Sequence, residues 1–94
     1  MQNNITHSKE LKGFIHENKD LFWYIREEEK ENISIEFLIE TILNYGDIKS
    51  VKKLFYLFGI KKVAKVFQDQ TNKPRVNYLP QVKNFFSLYF ARHA

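Results

Sequence analysis

The side chains that could carry catalysis or bind a metal are few and widely spaced. The chain has no cysteine, which excludes disulfides, thiolate catalysis and cysteine-based zinc sites. Its three histidines are scattered along the chain, at His7, His16 and His93. Only His16 has carboxylates at close spacing, in Glu17 and Asp20. Solvated surface groups explain that set better than a metal site does, so we expect no metal site and no cofactor.

Patterns for acid–base catalysis and for phosphate binding are also weak. The adjacent carboxylates Glu27, Glu28 and Glu29 lie in one charged run, which lacks the burial that would separate their pKa values for acid–base work. The three glycines lie 33 and 13 residues apart, too far for a glycine-rich loop that cradles a phosphate. The sequence thus predicts a protein that is not an enzyme.

Charge divides the chain into an acidic and a basic half. Residues 1–47 hold ten acidic and five basic side chains, a net charge of −5, whereas residues 48–94 hold one acidic and ten basic, a net charge of +9. A strongly basic segment favours an anionic partner. The cations that could contact phosphate groups are Lys52, Lys53, Lys61, Lys62, Lys65, Lys73 and Arg75.

Two predicted helices at 47–67 have the outline of a helix-turn-helix, with a single glycine between them. Five of the lysines lie on this pair, and mobile cations of this kind suit contacts with a phosphate backbone. Side chains that read base edges cluster instead in the segment after the pair. The pattern therefore favours backbone contact over sequence-specific contact. A solvated outer helix face explains the same lysines, and both interpretations stay open.

Aromatic side chains are more numerous than the apolar helix faces require. They make up 16% of the chain, and Trp and Tyr are favoured at the centres of protein interfaces. The alternative is that a small domain uses them as its own core. The candidate anchors for a protein partner are Trp23, Tyr24, Tyr56, Tyr78 and Phe90, with Leu88 beside them.

The spacing of apolar residues is helical along most of the chain. Glycine and proline are scarce, three and two residues, so we predict an all-α fold, a compact single-domain bundle of about five short helices. Residues 1–7 are expected to form a flexible tail, followed by a helix that Ser8 caps. The polar residues at 68–79, with Pro74 among them, predict a loop.

Capping residues predict where the later helices begin and end. Ser34 and Asp47 are suited to cap two helix starts, and Pro80 suits the first turn of the last helix. Gly46 is predicted to end a helix in the left-handed conformation, and Gly59 to end the next one. These signals place two helices directly before and after Gly59.

Apolar side chains at spacings of three and four residues predict the buried face of each helix. Residues 21–25 are predicted to be an aromatic plug docked on the core, and residues 26–32 a charged helix tail or linker. The predicted buried positions are Leu11, Phe14, Ile15, Ile35, Leu38, Ile39, Ile42, Ile48, Val51, Leu54, Phe55, Phe58, Ile60, Val63, Ala64, Phe67, Val82, Phe85, Phe86 and Tyr89.

Four short segments, in order, resemble a small bacterial domain family. Members of that family often have Leu-Phe-Trp near the start, a helix that ends in Gly before a capped helix, then Tyr-Gly, and finally Pro and Asn-Phe-Trp. The resemblance covers about residues 21–90, and its motifs are packing motifs. The segments are Leu21-Phe22-Trp23; Phe37-Leu38-Ile39-Glu40 continuing into Ile42-Leu43-Asn44-Tyr45-Gly46-Asp47; Leu54 with Phe58-Gly59 and Val63; and Pro80 with Asn84-Phe85-Phe86.

Genes of this family commonly lie beside genes for AbiEii-type nucleotidyltransferase toxins, so the resemblance implies the antitoxin-like half of a toxin–antitoxin pair. The chain departs from the family pattern at Tyr24 and Arg26, where acids commonly follow Leu-Phe-Trp. It departs again at Val51, near a usual Trp, and at Phe86, in place of the final Trp. If those positions contact the toxin, the partner differs accordingly.

Two functional hypotheses follow. The first is an antitoxin-like binding protein that neutralises a cognate nucleotidyltransferase toxin by direct protein–protein contact. The alternative is a helix-turn-helix-like transcriptional regulator that binds operator DNA, and both can hold together because antitoxins often repress their own operons. A homodimer closed by the last helix is a third arrangement. With no secretory signal and no apolar run near the roughly 20 residues that span a bilayer, we expect a cytoplasmic bacterial protein without membrane contact.

Overall fold

The chain folds as a helical bundle, as the apolar spacing predicts. The structure, a computed structural model, describes residues 9–94, so the predicted tail at 1–7 and the cap at Ser8 lie outside the described residues. In that range the chain forms five α-helices and two short 3-10 helices, without a strand, and the all-α prediction is confirmed. The α-helices are α1 (Lys9–Glu17), α2 (Ile35–Tyr45), α3 (Ile48–Phe58), α4 (Ile60–Thr71) and α5 (Pro80–His93), and the 3-10 helices span Lys19–Phe22 and Glu27–Asn32.

Helix α4 lies at the centre of the bundle. It packs against α2, α3 and α5, while α1 packs against the second 3-10 helix. The radius of gyration is 13.1 Å, which matches the value of about 13 Å for a folded chain of about 100 residues. The buried apolar side chains are Leu11, Phe14, Ile15, Phe22, Ile33, Leu38, Ile39, Ile42, Leu43, Leu54, Val63, Ala64, Phe67, Tyr78, Phe86 and Phe90.

Both predicted N-caps form. The Ser34 hydroxyl oxygen accepts a hydrogen bond from the Phe37 backbone N–H at 3.1 Å, and Asp47 Oδ1 accepts one from the Ser50 backbone N–H at 2.8 Å. The hydrogen bond from the Ser50 N–H, with a second from its side chain, lowers the pKa of the Asp47 carboxyl because it stabilises the charged form. The side chains of Ser34 and Asp47 therefore set where α2 and α3 begin.

The two glycines that end helices do so for different reasons. Gly59, between α3 and α4, has φ +84°, a conformation that residues with a Cβ rarely adopt. The left-handed prediction for Gly46 is wrong, because its φ is −75° and its backbone is extended. Glycine is still required there, since a Cβ would lie 2.7 Å from the Ile42 carbonyl oxygen. The tight connection from α2 to α3 depends on that close approach.

Helix α4 is longer than predicted. It continues to Thr71. The loop predicted at 68–79 therefore begins about one helical turn later in the structure than in the prediction. The polar side chains of the added turn face outward or bridge to neighbours. Lys65 Nζ pairs with Asp69 Oδ1 at 3.1 Å, and Gln70 Nε2 donates to the Glu36 carbonyl oxygen at 2.9 Å. Polar composition alone therefore did not distinguish a solvated helical turn from a loop.

The segment between α1 and α2 is only partly docked on the core. Phe22 is fully buried, whereas Leu21 and Ile25 are half-buried and Trp23 and Tyr24 are exposed. The prediction of an aromatic plug thus holds for Phe22 and is wrong for the two residues after it. The 3-10 helix ends at Phe22, and Trp23 and Tyr24 lie in the turn that follows it. The chain therefore leaves the core directly after Phe22.

Candidate partner-binding surfaces

The apolar face of α3 is only partly covered by the other described residues. Leu54 is buried, as predicted, but Ile48 is 74% exposed, and Val51 and Phe55 are half-buried. The spacing of three and four residues correctly identifies one continuous apolar face. It does not reveal that part of this face lacks a cover within the described residues. The prediction that Ile48 belongs to the core is therefore wrong.

Helix α5 presents two apolar faces instead of one. Phe86 and Phe90, one turn apart, are buried, whereas Phe85 is 58% exposed and Leu88 is also exposed. Phe90 is 3% exposed, so its proposed role as a surface anchor is wrong, and so is the core placement of Phe85. The Phe90 ring packs 5.3 Å from the Phe67 ring, and this contact with α4 determines which face of α5 turns inward.

An apolar groove lies between the exposed parts of α3 and α5. We call it the α3–α5 groove; its volume is about 430 Å³. Its aromatic floor consists of near-parallel rings, with Tyr89 stacked 5.8 Å from Phe55 and 6.0 Å from Phe85. Lys52 is the only charged residue of its lining in the described part of the chain. The lining residues are Leu43, Asn44, Gly46, Ile48, Val51, Lys52, Phe55, Val82, Phe85, Phe86 and Tyr89.

A second concave surface lies beside the exposed rings that follow Phe22. Trp23 is 77% and Tyr24 56% exposed, and their rings meet edge-on at 5.7 Å. The Tyr24 ring is also perpendicular to the Phe37 ring of α2, at 6.5 Å. We call this surface the aromatic pocket; its volume is about 550 Å³. It is lined by Asp20, Leu21, Trp23, Tyr24, Phe37, Glu40, Thr41, Asn44, Tyr45 and Asn77.

Asn44 lies between the two surfaces and lines both of them. Its side chain is fixed, because Nδ2 donates to the Asn77 carbonyl oxygen at 3.2 Å and Oδ1 accepts from the Leu79 N–H at 3.1 Å. These bonds attach the segment before α5 to the end of α2. The groove and the aromatic pocket are therefore neighbours on one rigid part of the molecule.

Tyr78 is a core residue, and its proposed role as a surface anchor is wrong. It is 6% exposed, and its ring packs 4.9 Å from the Phe67 ring. Its hydroxyl group donates to Gln70 Oε1 at 2.5 Å. Burial, and to a smaller degree the charge of Glu40, raises the pKa of this hydroxyl group well above its ordinary value. The segment predicted as a loop at 68–79 thus contributes an aromatic ring to the core.

The cations predicted for nucleic-acid contact are all exposed, and the turn between α3 and α4 is shorter than that of a helix-turn-helix. Lys52, Lys53 and Tyr56 share the outer face of α3 by their spacing, and Tyr56 is 77% exposed. On α4 the exposed lysines are Lys61, Lys62 and Lys65, and the following loop adds Lys73 and Arg75. Lys65 is paired with Asp69. One residue separates α3 from α4, whereas a helix-turn-helix has a turn of about 3–4 residues.

Two further features of the described residues bear on other functions. Within residues 9–94, no three His, Asp or Glu side chains come together in a way that could hold a metal ion. No helix in that range is both long enough and apolar enough to cross a bilayer. The proposed absence of catalysis remains a prediction.

Comparison of the chain with protein-family models, with curated proteins and with solved structures gives no match. The resemblance to the toxin-associated family therefore remains a prediction that depends on the sequence motifs alone. Several of those motif residues have structural roles, including the buried Phe22, the capping Asp47 and the bridging Asn44.

Sequence reasoning missed the residues that shape the two surfaces most directly. Helical spacing predicts a core position for Ile48 and for Phe85, because both continue an apolar face. Tyr45 is 61% exposed at the end of α2 and was treated as part of a helix-ending motif. The detectable signal was in α5, where apolar residues at 85, 86, 88, 89 and 90 are too many for a single face.

Proposed function

We propose that this protein is an antitoxin-like binding protein that neutralises a cognate nucleotidyltransferase toxin in the bacterial cytoplasm by direct contact. It has no catalytic role of its own in this proposal. The family resemblance supports the kind of partner, and the α3–α5 groove supports the manner of binding.

The observation that carries the proposal is the uncovered apolar surface between α3 and α5. Ile48 and Phe85 are both more than half exposed, and they border a groove with a floor of stacked rings. Contiguous apolar surface of this kind marks interaction sites on small soluble domains. An aromatic floor in a lining with a single charged residue also has the composition of an interface centre. A protein partner that inserts apolar side chains would complete the cover of α3.

Charge around the groove indicates an acidic partner surface. Lys52 lines the groove, and Arg92 and His93 line the depression on the other side of Tyr89. Most of the lining of the groove belongs to the half of the chain that carries a net charge of +9. Charges of one sign around an apolar centre speed association with a surface of the opposite sign. The proposed toxin therefore presents apolar side chains within an acidic surround.

Copurification with the protein encoded by the adjacent gene tests this proposal. The double variant Ile48→Ser/Phe85→Ser removes two exposed side chains, so it should fold normally and bind at least about tenfold more weakly. Asn84→Ser is the matched control, because Asn84 is exposed on α5 and does not line the groove. If wild-type protein fails to form a complex, or if the double variant binds as well as the control, the groove is not the binding surface.

A second candidate function, nucleic-acid binding, is favoured by the exposed lysines of α3 and α4. Tyr56 lies among these lysines, and its ring could stack on a base or cover a sugar. Mobile lysines contact phosphate groups without regard to sequence, and the protein would then act as a regulator at its own operator. Both functions fit on one molecule, because Lys53 and the exposed lysines of α4 lie outside the groove lining, and Lys52 alone of these lysines belongs to it.

A gel-shift titration with the DNA upstream of the gene, at low and moderate salt, tests the second function. Lys61→Ala/Lys62→Ala should weaken binding to all sequences about equally and reduce the salt dependence. Lys9→Ala/Lys19→Ala removes the same charge from exposed sites in the acidic half and should have a much smaller effect. Absence of binding at low salt, or equal losses for the two variants, would exclude this interface.

A further inference from the structure

The aromatic pocket has a chemistry that the α3–α5 groove lacks. Its walls are rings set at right angles, Trp23 to Tyr24 at 83° and Tyr24 to Phe37 at 89°. Perpendicular rings form the corner of a box, whereas parallel rings form a flat stack. A cation held in such a corner lies close to more than one ring, and the negative face of an aromatic ring attracts cations.

Two carboxylates line the same pocket. Asp20 lies within the first 3-10 helix and Glu40 lies on α2. Neither of them forms an ion pair with another of the described residues 9–94. Glu40 is only half-exposed, so solvent screens its charge less than it screens a fully exposed carboxylate. Unpaired negative charge beside aromatic walls favours a positively charged occupant.

We propose that the aromatic pocket binds the cationic end of a lysine or arginine side chain of the protein partner. This inference rests on the proposed function, since it names a side chain that the partner inserts. The pocket adjoins the α3–α5 groove through Asn44, so one partner can contact both. The partner then carries an acidic, apolar patch for the groove and a basic side chain next to it.

The size of the pocket agrees with a side chain as its occupant. Its volume of about 550 Å³ lies within the range for small-molecule sites, about 300–1,000 Å³, so it has room for a long side chain. It is open to solvent on the side of Trp23 and Tyr45, which are 77% and 61% exposed. A side chain attached to a protein surface can therefore enter from outside, while its cation reaches Glu40.

The lone tryptophan of the chain provides the probe. Trp23 lies in the pocket wall, so its fluorescence reports occupancy without a label. The titrants are N-acetyl-arginine amide and its neutral isostere N-acetyl-citrulline amide, each at constant ionic strength. We expect saturable change with the arginine compound, with a dissociation constant on the order of millimolar, and at least about fivefold weaker binding of the citrulline compound.

Variants assign the effect to the pocket. Glu40→Gln should weaken binding of the arginine compound about fivefold, and Tyr24→Leu should weaken it by a similar factor. Glu36→Gln, one turn earlier on α2 and outside the pocket lining, should change it less than twofold. Equal responses to the arginine and citrulline compounds, or equal effects of Glu40→Gln and Glu36→Gln, would overturn the proposal.

Tetramethylammonium chloride is the third titrant, because it distinguishes a small quaternary ammonium ligand from a protein side chain. Binding of tetramethylammonium no tighter than that of the arginine compound supports a side chain as occupant. Binding more than tenfold tighter would overturn it in favour of a small ligand. These titrations need no partner protein, so their failure is distinguishable from failure of copurification. If the complex forms but the pocket does not bind the arginine compound, the groove remains the proposed binding surface. The proposal for the aromatic pocket is then wrong.

Discussion

Single residues in this protein carry more structural information than their types suggest. Asn44 bonds to the backbone at Asn77 and Leu79 and lies between the two candidate surfaces. Gln70 similarly bridges the Glu36 carbonyl oxygen and the Tyr78 hydroxyl group. Each uses both ends of its side-chain amide, which is what a buried or half-buried amide requires. These bridges hold the loop before α5 in place.

The Tyr78 hydroxyl group should make the free energy of unfolding depend on pH in the alkaline range. Its pKa is higher in the folded protein than in the unfolded chain, so the unfolded chain loses its proton first as pH rises. The stabilisation that the protonated Tyr78 hydroxyl group contributes is therefore complete below about pH 10. It is lost as the pH rises further. Tyr78→Phe should remove this part of the pH dependence and cost about 1 kcal/mol at neutral pH through the lost hydrogen bond.

Denaturant unfolding at about pH 8 and about pH 11 measures this effect. Tyr56→Phe serves as the control, because Tyr56 is 77% exposed and its replacement should leave the difference between the two pH values unchanged. If Tyr78→Phe and wild type lose the same stability on going to high pH, the buried hydroxyl group is not the cause.

Gly59 should tolerate no side chain without strain. Its φ of +84° is accessible to other residues only at a cost of about 1–3 kcal/mol, so Gly59→Ala should lower the free energy of unfolding by that amount. Gly13→Ala, in the exposed interior of α1, meets no atom within 4 Å and should raise it by about 0.5–1 kcal/mol. Opposite signs in the two thermal melts are the expected outcome. Matching signs would show that the turn at Gly59 is not the source of strain.

At the scale of helices, α3 divides into a buried and an uncovered part. Leu54→Ala should cost about 2–5 kcal/mol, because a buried leucine loses its contacts and leaves a cavity. Ile48→Ala, on the same apolar face but 74% exposed, should change stability by less than about 0.5 kcal/mol. Urea unfolding of the two variants compares them directly. A large loss for Ile48→Ala would mean that the groove is closed in the isolated protein.

The helices themselves were largely predictable from sequence, and their faces were less so. Capping by Ser34 and Asp47 and the break at Gly59 each depend on local chemistry, which a sequence displays directly. The inward face of α5 depends on where α4 places Phe67, and that is a tertiary contact. For this reason the sequence prediction placed Phe85 in the core and Phe90 at the surface, whereas the structure has the reverse.

The candidate surfaces were predictable only in part for the same physical reason. An excess of aromatic residues indicates that some must be exposed, but spacing does not identify which ones. Trp23 and Tyr24 were identified and are exposed, whereas Tyr78 is buried by its contact with Phe67. Apolar spacing cannot distinguish a face covered by the chain itself from one that awaits a partner. Only packing of the whole bundle shows that Ile48 is uncovered.

At the scale of the whole molecule, the acidic and the basic half of the chain contribute two neighbouring surfaces. The aromatic pocket belongs to the acidic half and is lined by Asp20 and Glu40, while the α3–α5 groove belongs mostly to the basic half and is lined by Lys52. A partner with opposite charges in the matching order is favoured, and one with the reverse order is repelled. In the proposed complex, the division would provide specificity as well as attraction.

The isolated protein should be a monomer in solution at moderate concentration, because the proposed occupant of the groove is a different protein. Sedimentation equilibrium measures this directly. A dimer that the Ile48→Ser/Phe85→Ser variant dissociates, and that Asn84→Ser leaves intact, would instead assign the groove to a second copy of this chain.

The central claim, that this surface neutralises a toxin by contact, is tested most directly by growth of cells that express the protein encoded by the adjacent gene. We predict that this protein slows growth, that co-expression of the wild-type chain or of Asn84→Ser restores growth, and that Ile48→Ser/Phe85→Ser does not, although it accumulates to the same level. Restoration of growth by the double variant, or no rescue by the wild-type chain, would contradict the claim.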